Sequence, residues 1–116
     1  MATYTKFYAF VEALAEKKHN LGSDTLTVAL LAAANAPSQA DDAVLADITQ
    51  IAYTYCSTRV LTISSSAQTS GTYKLVIADL TLTATGGAVG PFRYAVIYND
   101  TATNDDLICF LDYGAE

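Results

Sequence analysis

Apolar positions recur along this chain with two periods. From Tyr4 to Ala15 the period is helical: Tyr4, Phe7, Tyr8, Val11, Leu14 and Ala15 recur at i, i+3, i+4 and i+7 as one stripe. Lys6, Glu12 and Glu16 fall on the opposite, solvated face. Thr3 or Thr5 can cap the start. Lys17, Lys18 and His19 bring cations to the end, where the helix dipole favours them, and Asn20 to Gly22 stop it. The pattern predicts a helix over about residues 4–19, its stripe packed on a core.

After Gly22 the period shortens to two. "DTLTVALLAA" sets Leu26, Val28 and Leu30 against Thr25, Thr27 and Ala29. "NAPSQADD" is a loop by composition, and "AVLADITQI" spaces Val44, Leu45, Ile48 and Ile51 as a short helix would. "YTYCSTRVLTISSS" and "GTYKLVIADLTLTAT" read as two long Thr-rich strands joined at "AQTSG", and "GGAVGP" as a turn. In "GPFRYAVIYND", Phe92, Tyr94, Val96 and Tyr98 share one face, predicted to meet the core, and Arg93, Ala95, Ile97 and Asn99 share the other. "NDTATNDD" is a polar hairpin-type loop, with Asp100 to Asp106 expected to be exposed, and "LICFLDYG" a last strand. The expected fold class is α+β, mainly antiparallel β (sheet or sandwich), with an N-terminal α-helix packed on it. The chain reads as one domain over 1–116, β-rich over about 24–113.

Composition narrows the function. The chain has 116 residues, is 52% hydrophobic and only 16% charged, which excludes disorder for most of it and suggests that some apolar area faces another protein. With six Lys and Arg against twelve Asp and Glu, the net charge is −6. That balance argues against nucleic acid and against an anionic membrane surface. No apolar run approaches the ~20 residues of a membrane span. "MATYTKFYAF" has no secretory cleavage pattern, so the protein is expected in the cytoplasm or in a particle assembled there.

Catalytic and metal chemistry find little support. His19 is the sole histidine and has no nucleophile motif around it, so it reads as a helix-end cation or a turn residue. Cys56 and Cys109 fit no metal or redox spacing and read as small hydrophobes, with a disulfide between them as the lesser alternative. Asn99, Asp100, Asn104, Asp105 and Asp106 cluster oxygen atoms, but not at EF-hand spacing, and Asn and Asp are also turn formers. Gly86, Gly87 and Gly90 lack the Lys-Ser/Thr of a phosphate loop. Arg93 is either paired, with Asp79 in "LVIADLTLT" as the candidate partner, or exposed on a solvated sheet face. No catalytic residue, cofactor or metal is expected. The candidate interaction residues are Arg93, Ile97, Asp100, Asp105 and Asp106.

"HNLGSDTL", "QTSGTYKL" and "GPFRYAVIYNDT" are the most specific parts of a pattern that spans nearly the whole chain. It resembles a family of small virion structural proteins of tailed bacteriophages. The resemblance implies a non-enzymatic protein of the virion. The leading expectation is a capsid decoration or cement protein, a homo-oligomer that binds the assembled shell of major capsid protein. A tail, neck or fibre component is the alternative. A host-surface or carbohydrate-binding module using exposed Tyr and the Asp/Asn loop is a further one. Family members continue past "DYG" into another turn and strand. This sequence ends at Glu116, which implies a sheet edge covered by a neighbouring chain, or a fold that closes differently.

Overall fold

The computed structural model describes residues 3–53, 56, 58–78, 83, 85–87 and 90–114. Among the described residues, two antiparallel sheets, one N-terminal α-helix and two short 3-10 turns make up the fold. Strands β1 (Thr3–Lys6), β2 (Leu26–Leu31), β5 (Tyr94–Asn99) and β6 (Leu107–Asp112) form a four-stranded sheet in the order β1-β6-β5-β2. Strands β3 (Ile63–Thr69) and β4 (Thr72–Ile77) form a two-stranded sheet. Helix α1 (Tyr8–Ala15) follows β1 and packs on β6. Among the described residues no helix is long and apolar enough to cross a membrane.

Both faces of the larger sheet are covered at β2, so all six residues of that strand are buried. A strand covered on both sides reads as a nearly continuous apolar run, as "LTVALL" does. On one face Ala29, Leu31, Tyr94, Val96, Tyr98, Leu107 and Phe110 cluster with Phe7, joined by Phe10, Leu45 and Ile48. On the other, Val28, Leu30 and Ala95 meet Ile51, Tyr53, Leu61 and Phe92. Beside them Leu26, Cys109 and the half-buried Ile97 meet Ile63, Leu75 and Ile77 from the β3–β4 hairpin.

Tyr94, Val96 and Tyr98 thus face the core together, as the alternation predicts. Phe92 does not join them. It lies ahead of the strand, beyond a bend at Arg93, and packs with the opposite cluster. Between β5 and β6 the register shifts, with Ile97 opposite Cys109 and Tyr98 opposite Leu107. Ile108 is the extra residue of this bulge, which explains how it shares a cluster with Cys109. In the β3–β4 hairpin the turn is only Ser70-Gly71, closed by the Thr69–Thr72 pair. Both turn residues have positive φ, 53° and 84°, the backbone of a type I′ turn.

The N-terminus departs from the expected 4–19 helix. Thr3–Lys6 is a strand, paired residue by residue with Asp112–Cys109, and the helix begins only at Tyr8. Neither Thr3 nor Thr5 caps it; Phe7 occupies the N-cap without a side-chain bond. "TYTK" alternates β-formers as well as fitting a helical stripe, and pairing with β6 gives its backbone partners that a frayed first turn lacks. Of the expected stripe only Phe7 is buried, while Tyr4, Tyr8, Val11 and Leu14 are 61%, 60%, 52% and 44% exposed. The helix turns Ala13 and Phe10 inward instead. It ends at Ala15 in a Schellman motif: Lys18 N–H bonds the Ala13 carbonyl at 2.9 Å and Lys17 N–H the Leu14 carbonyl at 3.3 Å. Lys17, at φ 69°, holds the left-handed position usually given to glycine. "AVLADITQI" contributes one short 3-10 turn, Leu45–Asp47.

Candidate functional site

Ending the helix at Ala15 sends residues 16–24 into a loop that folds back over the end of β5. Asn99, the last residue of that strand, is completely buried there. Its Oδ1 accepts from the backbone N–H groups of Thr101 at 2.9 Å and Ala102 at 3.1 Å. These bonds fix which way the amide points, because only its oxygen can accept. Its Nδ2 therefore faces the loop, donating to Asp24 Oδ2 at 2.6 Å and to His19 Nδ1 at 2.9 Å. Asp24 Oδ2 also accepts from Asn20 N–H at 2.8 Å, which closes the loop on itself.

An amide NH₂ only donates, so His19 Nδ1 must accept, and the proton of the neutral ring is assigned to Nε2. His19 is only 7% exposed, and Phe10 lies against it with ring centroids 5.3 Å apart. Burial holds its pKa below the ordinary histidine value, against the pull of Asp106 and Asp24 and with a smaller contribution from Lys18. The ring is neutral at neutral pH, not the helix-end cation that its position suggests. Its Nε2 is buried and has no hydrogen-bond partner among the described residues.

Above this cluster opens a cleft of about 920 Å³. One wall is the loop with Lys17, Lys18 and Asn20; another is the β3–β4 hairpin with Ser66 and Tyr73; the third is the β5–β6 turn with Thr101, Asn104 and Asp106. The Tyr73 hydroxyl and Ser66 Oγ hydrogen-bond at 2.6 Å, which fixes the half-exposed ring.

The expected interaction residues do not form one patch. Arg93 lies just ahead of β5 and the acidic turn beyond the strand's far end. Arg93 grips Asp112 in a fork, Nε to Oδ1 at 2.8 Å and Nη2 to Oδ2 at 3.2 Å. The partner expected from sequence, Asp79, lies outside the described residues; Asp112 takes the role because the β5–β6 register sets it opposite Tyr94. Each group steadies the other's charge: the bond to Arg93, ahead of one from Gly114 N–H, lowers the Asp112 pKa, and Asp112 raises that of Arg93. Ile97 is wedged under the hairpin, so the reverse face is a packed layer at that point. Asp100 is exposed. Asp105 is half-buried at φ 53°, and its pKa is raised by burial first, then by Asp100 and Asp106. Asp106, expected to be exposed, is 7% exposed, because Val44 bridges it and Leu107 N–H bonds the Ala43 carbonyl. Both cysteines are free, and burial pushes the Cys109 thiol up to about 11.

The two edges of the larger sheet differ. Beside β2, Val28 N–H bonds the Arg59 carbonyl at 2.9 Å, Leu61 N–H the Leu26 carbonyl at 2.8 Å and Ile51 N–H the Leu30 carbonyl at 2.9 Å. Arg59 adds Nη1 to the Val28 carbonyl at 2.6 Å, its guanidinium 3.7 Å from the centre of the Tyr53 ring. Among the described residues the outer edge of β1 has no such cover. Phe7 N–H bonds Ile108 O, so by the alternation of antiparallel pairing Thr3 and Thr5 also face β6, and Tyr4 and Lys6 turn their backbone outward. Gln39 Nε2 takes the Lys6 carbonyl at 2.7 Å. Among the described residues nothing takes the outward Tyr4 N–H, Tyr4 C=O and Lys6 N–H. Comparison of the chain with protein-family models, with curated proteins and with solved structures returns no match.

Proposed function

We propose that this chain is a virion structural protein of a tailed bacteriophage, a capsid decoration or cement protein that attaches to the assembled shell of major capsid protein. The observation that carries this reading is the outer edge of β1, which no described strand covers, followed by a helix that leaves Tyr8, Val11 and Leu14 exposed. An unpaired strand edge invites an added strand, and natural proteins usually cover or blunt such edges. Exposed aromatic and aliphatic side chains beside it supply the area that a lattice contact buries. Many weak copies of that contact add up on a shell through avidity.

The test is loading of purified shells that lack the protein. Tyr4→Pro removes the outward N–H of Tyr4 and leaves the β1–β6 ladder intact, because proline is tolerated where a strand N–H faces outward. Tyr8→Asp places a charge on the exposed helix face. Tyr8→Asp should keep the parent's melting temperature, Tyr4→Pro should stay folded with a modest loss from its contact with Cys109, and both should lose loading. If both load like the parent, attachment through this edge is wrong. If the parent loads on purified tails and not on shells, the protein belongs to the tail.

A further inference from the structure

We infer that the cleft above His19 is a binding site for a neutral, hydroxyl-rich ligand of the sugar class. The inference is independent of the virion reading, since it rests on the recess around His19 and Asp106 and not on the β1 edge, although Leu14 borders both. Its first support is the pairing of a donor and an acceptor in the recess. His19, more than nine-tenths buried, has Nδ1 committed to Asn99, and its Nε2 carries a proton with no acceptor among the described residues. Asp106, equally buried, lines the same cleft and lies near enough for its charge to act on the imidazole. No described residue donates a hydrogen bond to its carboxylate. A hydroxyl both donates and accepts, so one sugar hydroxyl can donate to Asp106 and, once the side chains that seal Nε2 give way, accept from the imidazole N–H.

The same tautomer argues against a metal ion. A metal needs the lone pair of a ring nitrogen, and here one nitrogen is engaged and the other is protonated. Among the described residues no three His, Cys, Asp or Glu side chains converge as a metal would require. The walls fit a sugar better. Tyr73 is 49% exposed and held by Ser66, so it presents a fixed aromatic surface to the C–H face of a pyranose ring. Asn104 and Thr101 on the opposite turn add amide and hydroxyl groups. The volume of about 920 Å³ lies within the range of small-molecule sites.

The experiment is a titration of the intact ¹⁵N-labelled protein, followed by amide and imidazole shifts. The probes are methyl glucoside, galactose and N-acetylglucosamine, with calcium chloride as a separate arm. At least one sugar should give saturable shifts at the His19 ring and at the Tyr73, Thr101 and Asn104 amides. Tyr73→Ala and Asp106→Asn should each weaken that binding about tenfold, the effect of losing one well-placed contact in a small site. If Asp106→Asn does not fold, Tyr73→Ala alone decides. The inference falls if no sugar gives saturable shifts, if the folded variants bind as the parent does, or if calcium alone produces the shifts.

Discussion

Phe7 and Tyr8 are neighbours in the chain with opposite energetics. Phe7 is fully buried, its ring 5.1 Å from that of Phe110, so Phe7→Ala should cost about 3–5 kcal/mol of stability. Tyr8→Ala should stay within about 0.5 kcal/mol, as exposed substitutions do. Denaturant melts of the two variants would check which way the helix faces. His19 carries a second expectation. Its folded pKa lies below the unfolded value of about 6.5, so below that pH the unfolded chain binds the proton more readily and stability falls. Burial is the main cause, and the geometry adds to it: a proton on Nδ1 would oppose the Asn99 amide N–H, and the amide cannot turn over while Thr101 and Ala102 hold its oxygen. Melting temperatures recorded from neutral pH down to about pH 5 should fall less for His19→Gln, which cannot titrate, than for the parent.

Elements were legible in the sequence where one period ruled alone. The alternation of "YAVIYN" and the apolar run "LICFLD" give β5 and β6 directly, and the Ser-Gly turn matches its hairpin. "TYTKFYAF" satisfies both periods, and only pairing with a strand about a hundred residues later decides between them. That contact is invisible locally, as is the register that gives Arg93 to Asp112. The site was missed for a related reason. Without a glycine to mark the helix end, nothing in "AEKKHN" signals that the chain turns and carries His19 inward. Lys17 holds that turn in the left-handed region at a cost, so Lys17→Gly should stabilise the fold by about 1 kcal/mol. A melting temperature unchanged or lowered by the substitution would contradict the Schellman assignment.

At the scale of the molecule, the sheet is held together by its most distant parts. β1 pairs with β6, and Thr3 lies opposite Asp112. During synthesis β1 and the helix after it leave the ribosome long before their partner strand exists. The sheet has no local shortcut to closure, because the strand beside β1 is the last of the six described strands. Closing so long a loop carries an entropic cost before any contact rewards it, and topologies of this kind fold in milliseconds to seconds rather than microseconds. Until then Phe7 and the apolar strand β2 have no finished core to enter. A nascent chain of this protein therefore stays open to chaperones and to its own neighbours on a polysome until β6 has been made.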